Sequence, residues 1–163
     1  YFHSTCGGAT ESVFEWRKER EIQPLAGAAC GWCDGAKWSN WSVRLTAAEI
    51  AGALREKLGG KAALDVSVKS VTKSGRVREV AVTVPGGEVA VAGPEFRAAL
   101  GYDRFRSTKF TVKKDGGGFL FSGRGWGHGV GLCQEGAMGM AAAGKGYREI
   151  LGKYYPGAEV ERR

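Results

Sequence analysis

The chain has 163 residues, and its content of 43% hydrophobic and 25% charged residues is typical of a globular domain with a core of its own. No apolar run approaches the roughly 18 residues of a membrane span. Basic residues outnumber acidic ones, 24 against 17, and are spread along the chain. Both a solvated surface and an anionic partner, either nucleic acid or cell-wall polymer, are compatible with that charge.

Residues 1–35 are rich in glycine and cysteine and contain little periodic structure. Glycine accounts for 27 of the 163 residues, well above its usual share of roughly 7%. Clustered glycines supply tight turns and favour a mostly β or α+β architecture. Alternation over residues 38–45 predicts a strand, and the capping-box pattern of Thr46 and Glu49 predicts a helix to about Leu58.

The middle of the chain is typical of antiparallel hairpins. Apolar and polar residues alternate over short segments that are separated by glycine-containing turns. The predicted elements are strands at 64–73, 76–84 and 88–92, a short helix from Pro94 to about Gly101, and strands at 107–113 and 118–122.

The C-terminal third begins with a glycine-dense loop over residues 123–131. Helices are predicted over residues 134–143 and 147–155, and a last strand is predicted to end at Val160. We find neither an internal repeat nor a linker. The sequence therefore predicts one α+β unit of mostly antiparallel hairpins with three to four short helices.

The four cysteines indicate a metal site. Cys30 and Cys33 form a C-x-x-C pair, whose spacing lets two thiolates reach one ion. His3 and Cys6 form a second pair with the same spacing. Three sulfurs and one imidazole suit zinc, so we predict a structural zinc site formed by His3, Cys6, Cys30 and Cys33.

Three alternatives to this ligand set stay open. Cys133 can replace His3 and complete a four-sulfur site. Two disulfides are possible in an exported protein. Cys30 and Cys33 can form a redox pair, although no thioredoxin-like βαβ pattern surrounds them. A closed zinc site would clip together residues 1–35, which contain few large apolar side chains to hold them.

A glycine-rich histidine motif follows at residues 123–137, Gly-Arg-Gly-Trp-Gly-His-Gly-Val-Gly-Leu-Cys-Gln-Glu-Gly-Ala. Its spacing fits neither a dinucleotide fingerprint nor a P-loop. Alternating glycines can place Arg124, Trp126 and His128 on one side of a nearly bare backbone. An indole and polar groups in that arrangement suit a sugar. The alternative is that Trp126 lies in the core and His128 only satisfies the loop.

These residues resemble the SpoIID/LytB family. Its signature reads G-W-G-H-G-V-G-x-x-Q-x-G-A, which matches residues 125–137, and then small residues, a Tyr-x-x-Ile-Leu segment and a Tyr-Tyr pair, which match residues 140–155. The opening residues 3–10 resemble its H-S-T-x-G-G-x-T segment. The resemblance implies the C-terminal portion of a SpoIID/LytB-like domain over residues 1–163, with the N-terminal portion expected upstream.

The resemblance implies a role at bacterial peptidoglycan. Members include lytic transglycosylases and amidase enhancers. Such a transglycosylase needs one carboxylic acid, which protonates the glycosidic oxygen and then takes the proton of the muramic acid 6-hydroxyl. The family's acid lies in an A-E-M/L-P-like motif that these 163 residues do not contain. Glu11 and Glu135 lie beside the two motifs, but nothing in the sequence assigns either one as the acid.

The two matching motifs are expected to form a glycan-binding groove. The family has Ser and Tyr where this chain has Cys133 and Glu135, and Cys133 in place of serine keeps the alternative metal ligand open. The predicted substrate-binding residues are Ser4, Thr5, Arg124, Trp126, His128 and Gln134.

Two functions compete on this basis. The first is a part of a SpoIID-like lytic transglycosylase that acts on glycan strands outside the cytoplasm, at the bacterial cell envelope. The second is a non-catalytic wall-binding module that enhances an N-acetylmuramoyl-L-alanine amidase. A nucleic-acid-binding zinc module would fit the charge and the cysteines, but it leaves the His128 loop unexplained and lacks a basic recognition helix.

Overall fold

The computed structural model of the chain describes residues 1–18 and 20–161, which divide into two units. The terminal unit joins residues Tyr1–Ser39 to the chain from Gly125 onward, and the central unit is Asn40–Arg124. In chain order the elements are β1 (Phe2–His3), α1 (Val13–Arg17), a 3₁₀ turn (Gln23–Leu25), β2 (Trp41–Thr46), α2 (Ala47–Ala53), β3 (Asp65–Val71), β4 (Val77–Val84), β5 (Gly87–Ala92), α3 (Gly93–Leu100), β6 (Phe110–Asp115), β7 (Gly118–Gly123), β8 (Leu132–Cys133), α4 (Gln134–Ala142) and α5 (Tyr147–Tyr154).

The central unit contains two antiparallel three-stranded sheets. One has the order β2-β7-β6 and the other β3-β4-β5. Their inward faces bury aliphatic residues around a cluster of phenylalanines. The ring of Phe105 lies 4.9 Å from that of Phe110 and 5.0 Å from that of Phe121, in edge-to-face geometry. The predicted α+β class and the antiparallel hairpins are thereby confirmed.

The predicted capping box begins α2. Thr46 accepts from the backbone N–H of Glu49 at 3.1 Å, and Glu49 accepts from the N–H of Thr46 at 2.8 Å. The hydrogen bond from this backbone N–H, followed by that from Arg104, lowers the pKa of Glu49 to about 2. Because the folded pKa lies below the unfolded value of about 4.3, this carboxylate stabilises the fold above the unfolded pKa and loses that effect as the pH falls towards 2.

Replacing Glu49 with glutamine should therefore flatten the acid limb of the stability curve. Between about pH 5 and pH 2 the melting temperature of the variant should fall less than that of the parent chain. Circular dichroism melts over this range measure the difference. Equal falls in both proteins would contradict a role for the Glu49 carboxylate in acid unfolding.

The terminal unit is built from both ends of the chain. Strands β1 and β8 pair in parallel, with Phe2 opposite Leu132 and His3 opposite Cys133. Helices α4 and α5 follow β8 and pack over the buried cysteines with Met140 and Tyr154. None of the helices in the described ranges is long and apolar enough to cross a membrane.

Three local predictions need correction. Val160 lies in no strand and is 46% exposed, because the few residues after the turn at Gly157 bury too little to order one. Helix α2 ends at Ala53 rather than near Leu58, and turns occupy the interval. Residues 1–35, for which no helix was predicted, contain α1 and a 3₁₀ turn.

Candidate functional site

The four cysteines lie together in the terminal unit. All are buried, and their sulfur atoms lie within 4.8 Å of one another. The Sγ of Cys33 lies 3.4 Å from that of Cys6 and 3.9 Å from that of Cys30. Four thiolates at about 2.3 Å from a tetrahedral zinc ion would have their sulfurs about 3.8 Å apart. The group therefore fits a closed tetrahedral metal site and can hold a metal ion.

Backbone amides surround the sulfurs. The N–H of Cys6 donates to the Sγ of Cys133 at 3.2 Å, and the N–H of Gly8 donates to the Sγ of Cys6 at 3.3 Å. Cys133 is also the N-cap of α4, and its Sγ accepts from the N–H of Gly136 at 3.3 Å. Such N–H groups stabilise thiolates, which are the form of cysteine that binds a metal.

Hydrogen bonds among the thiols separate their pKa values. The bond with Cys133 is the largest cause that lowers the pKa of Cys30, to about 6, and that of Cys33. The bond with Cys133 is also the largest cause that raises the pKa of Cys6, which therefore keeps its proton. Binding of a divalent cation to the cluster would release the protons that the cysteines still carry.

Tyr154 closes the cluster from α5. Its hydroxyl lies 3.1 Å from the Sγ of Cys30. Burial, followed by the hydrogen bond with Cys30, raises the pKa of Tyr154, so the hydroxyl stays protonated and donates to the sulfur. An O–H donor beside a thiolate stabilises it directly.

The fourth member of the cluster is Cys133, and the predicted ligand His3 lies outside it. The β1–β8 register places His3 opposite Cys133, but the His3 ring turns to Val130, whose carbonyl lies 3.2 Å from Nδ1. Gly127 makes room for this ring, since a Cβ there would lie 2.7 Å from the His3 Cβ. The structure thus brings together Cys6, Cys30 and Cys33 with the alternative fourth ligand.

The opening motif and the glycine loop lie side by side. Thr5 and Trp126 exchange two backbone hydrogen bonds, at 3.0 and 2.8 Å. The N–H of Glu135 donates to the carbonyl of Ser4 at 3.1 Å, which ties the start of α4 to the same segment. The Ser4 and Thr5 hydroxyls lie 3.3 Å apart. Thr5 is fully buried, whereas Ser4 is half-buried and Gln134 is exposed.

The His128 ring is fixed from two directions. Its Nδ1 accepts from the N–H of Val130 at 3.0 Å, so the neutral ring carries its proton on Nε2. The ring stacks on Trp16, with centroids 4.4 Å apart and planes 22° apart. The His3 ring lies 5.7 Å away. His128 is thus a half-buried, oriented imidazole in an aromatic setting.

The remaining predicted residues have separate settings. Trp126 is half-buried, and its ring lies 5.3 Å from that of Trp38, edge to face. Arg124 is the last residue of the central unit and is exposed. Glu11 is 4% exposed, and its N–H donates to the carbonyl of Gly129 at 2.8 Å. Glu11 therefore lies against the backbone of the glycine loop.

Sequence reasoning missed Trp16 as a neighbour of His128. The signal was present in the capping pattern of Ser12 and Glu15, which begins α1: the Ser12 side chain accepts from the N–H of Glu15 at 3.2 Å. A helix starting there places Trp16 on its first turns. The contact between Trp16 and the glycine loop depends on the pairing of Glu11 with Val130, which no local sequence pattern shows.

Comparison with known proteins adds three relatives. An uncharacterized protein of Brachyspira hyodysenteriae is 32% identical over 161 residues, covering 98% of this chain and 42% of the relative. Stage II sporulation protein D of Bacillus subtilis is 32% identical over 159 residues, covering 98% of this chain and 44% of the relative. The amidase enhancer of Bacillus subtilis is 44% identical over 72 residues, covering 44% of this chain and 10% of the relative.

These relatives confirm the predicted resemblance to SpoIID/LytB-type proteins. The chain spans less than half the length of each of the three, at 42%, 44% and 10%. The chain belongs to the family described as a domain of unknown function, DUF8618, whose profile matches residues 33–131.

Proposed function

We propose that the chain is the glycan-binding part of a peptidoglycan-processing protein at the bacterial cell envelope, of the SpoIID-like lytic transglycosylase type. The observation that carries the proposal is the pairing of Thr5 with Trp126, which joins the two motifs that resemble the family. Ser4 precedes Thr5 and accepts from the N–H of Glu135, which follows the exposed Gln134, and His128 lies two residues after Trp126.

These groups suit a sugar for chemical reasons. Hydroxyl, imidazole and amide groups donate to and accept from sugar hydroxyls and N-acetyl groups, while indole rings offer apolar faces to the sugar ring. The half-buried Trp126 and His128 keep fixed orientations through their ring contacts. Pre-oriented groups of this kind bind with less loss of side-chain entropy.

Zinc is the metal proposed for the cysteine cluster. Four thiolates leave no open coordination position for water, so the ion would be structural. The ion would join Cys6, in the segment after β1, to Cys133, at the start of α4. It would thereby keep Ser4 and Gln134, which lie near these cysteines in the chain, close to one another. The metal would thereby support the sugar site without taking part in chemistry.

The alternative is a non-catalytic module that enhances a wall amidase. It is favoured by the 44% identity over 72 residues to a protein named amidase enhancer. An N-acetylmuramoyl-L-alanine amidase would be the partner in that case.

Titration with soluble muro-oligosaccharides tests the proposal. We expect the 163-residue chain to bind, and His128→Asn to weaken binding by about tenfold, which corresponds to the loss of one good hydrogen bond. Asparagine can still accept from the Val130 N–H, so the thermal melt should stay close to that of the parent. Unchanged affinity in a variant that melts normally would contradict the sugar site.

Mass spectrometry of digested peptidoglycan tests whether the chain alone cleaves glycan strands. The chain alone is expected to release no 1,6-anhydro muropeptides, because its sequence lacks the expected acid motif. Their accumulation would refute this expectation, and Glu11→Gln and Glu135→Gln would be the first variants to compare. Stimulation of a purified amidase by the chain would favour the alternative.

A further inference from the structure

The outward face of the β2-β7-β6 sheet carries a row of hydroxyl groups. Cross-strand register places Ser42 opposite Ser122 and Ser122 opposite Thr111. All three side chains are exposed, since the alternate residues of these strands turn inward to the core. Neighbouring strands lie about 4.8 Å apart, so the row presents three hydroxyls at an even spacing.

Basic residues lie on both sides of this row. Two residues further along the strands, on the same face, are Arg44 and Lys113, which flank Leu120 in the register. In the opposite direction along the strands the pairing continues to the basic residues Lys109 and Arg124, since the N–H of Arg124 donates to the carbonyl of Lys109 at 2.8 Å. Four cations therefore frame the three hydroxyls. We call these seven residues the basic sheet face.

The face continues into an open groove of about 690 Å³. Its polar lining residues are Asn40, Ser42, Lys109, Thr111, Ser122 and Arg124, and no aspartate or glutamate lines it. One acid, Asp115, lies at the far end of the described sheet and contacts Arg44 at 2.8 Å. Positive charge thus dominates the groove itself.

We propose that the basic sheet face binds a linear anionic polymer of sugar or polyol units, through its carboxylate or phosphate groups. Hydroxyls donate to anionic oxygens and cations neutralise them, and a strip of both suits repeated charges. The chain's net charge of +7 adds long-range attraction.

Nucleic acid is the less suitable occupant. Single-stranded nucleic acids are held by aromatic side chains on which bases stack. The aromatic residues that line the groove are Trp41 and Phe110, which are 7% and 6% exposed and belong to the core. The face offers charge and hydroxyls without a stacking surface, as expected for a ligand with no bases.

Binding of the 163-residue chain to poly(glycerol phosphate) and to oligogalacturonate tests the proposal. These probes carry phosphate and carboxylate, respectively, and binding of either one supports the site and identifies the anion. The double substitution Lys109→Gln with Lys113→Gln should weaken binding about tenfold at low salt. The slope of log K against log salt should fall by about one for each lysine.

The matched control is Lys57→Gln with Lys61→Gln, which removes the same charge from two exposed lysines in the segment after α2, of which Lys57 pairs with Glu95 at 3.1 Å. This control should change the affinity less than about twofold if direct contacts with the sheet face, rather than the net charge of the chain, determine binding. Equal loss in both double variants, or no binding of either probe, would overturn the proposal. So would tighter binding of a single-stranded 20-mer of DNA that depends on the same lysines. All these residues lie in the central unit, so the result is independent of the muro-oligosaccharide titration.

Discussion

Replacing Cys133 with serine is expected to abolish binding of the metal ion proposed for the cysteine cluster and to lower the melting temperature by about 10 °C. Losing one ligand of a closed zinc site leaves three buried cysteine sulfurs without the cation that compensates the charge of their thiolate form. A cost of about 3–5 kcal/mol is usual when a buried charged network loses one partner, and each kcal/mol shifts the melting temperature of a chain this long by roughly 2–4 °C. Metal content by elemental analysis and melts by circular dichroism measure both effects.

The control for this prediction is His3→Asn. The asparagine amide can keep the donation to the Val130 carbonyl that the His3 ring makes at 3.2 Å. We expect this variant to retain one zinc per chain. The reverse outcome, with zinc lost on changing His3 and kept on changing Cys133, would restore the ligand set predicted from the spacing. Absence of metal from freshly purified, reduced protein would refute the zinc site altogether.

The choice between His3 and Cys133 shows where spacing stops being informative. The H-x-x-C spacing of His3 and Cys6 is compatible with one ion, and nothing local in the sequence counts against it. The choice depends on the parallel pairing of β1 with β8, which joins residues about 130 positions apart and brings the Cys133 sulfur to the Cys6 amide. Pairing over such a distance leaves no periodic signal in either segment.

The central unit could be predicted much further, because its signals are local. The capping box of Thr46 and Glu49, the alternation of the strands and the glycine turns each act over a few residues. They gave the order and type of every element from β2 to β7. Boundaries were less certain, as the early end of α2 shows, since end residues depend on tertiary contacts.

The proposed sugar site could be predicted from the sequence only in part. The glycine alternation pointed to Trp126 and His128, and both are half-buried rings in the terminal unit. The tautomer of His128 and its stacking on Trp16 needed the pairing of Glu11 with Val130, which no local pattern contains. The basic sheet face was invisible in the sequence for a different reason. Its cations are scattered in the chain, and only strand register aligns them.

Replacing Gly136 with alanine is expected to destabilise the chain, although it lies inside helix α4. Alanine is the better helix former by about 1 kcal/mol, so propensity alone predicts stabilisation. A Cβ at this position, however, would overlap the Tyr154 hydroxyl and lie 2.7 Å from the Sγ of Cys30. The hydroxyl and the sulfur are both buried and bonded to each other at 3.1 Å, so neither can move aside freely.

The steric effect should prevail over propensity. Overpacking of a well-filled core costs about 1–3 kcal/mol, and separating Tyr154 from Cys30 adds the loss of a hydrogen bond to a buried sulfur. We expect the Gly136→Ala melt to fall by about 5–10 °C and metal affinity to fall with it. The matched control is Gly152→Ala in α5, where a Cβ would meet no atom within 4 Å and propensity should stabilise the helix. The packing of α4 and α5 on the cysteine cluster predicts a lower melting temperature for Gly136→Ala and a higher one for Gly152→Ala. Stabilisation by both substitutions would contradict this packing.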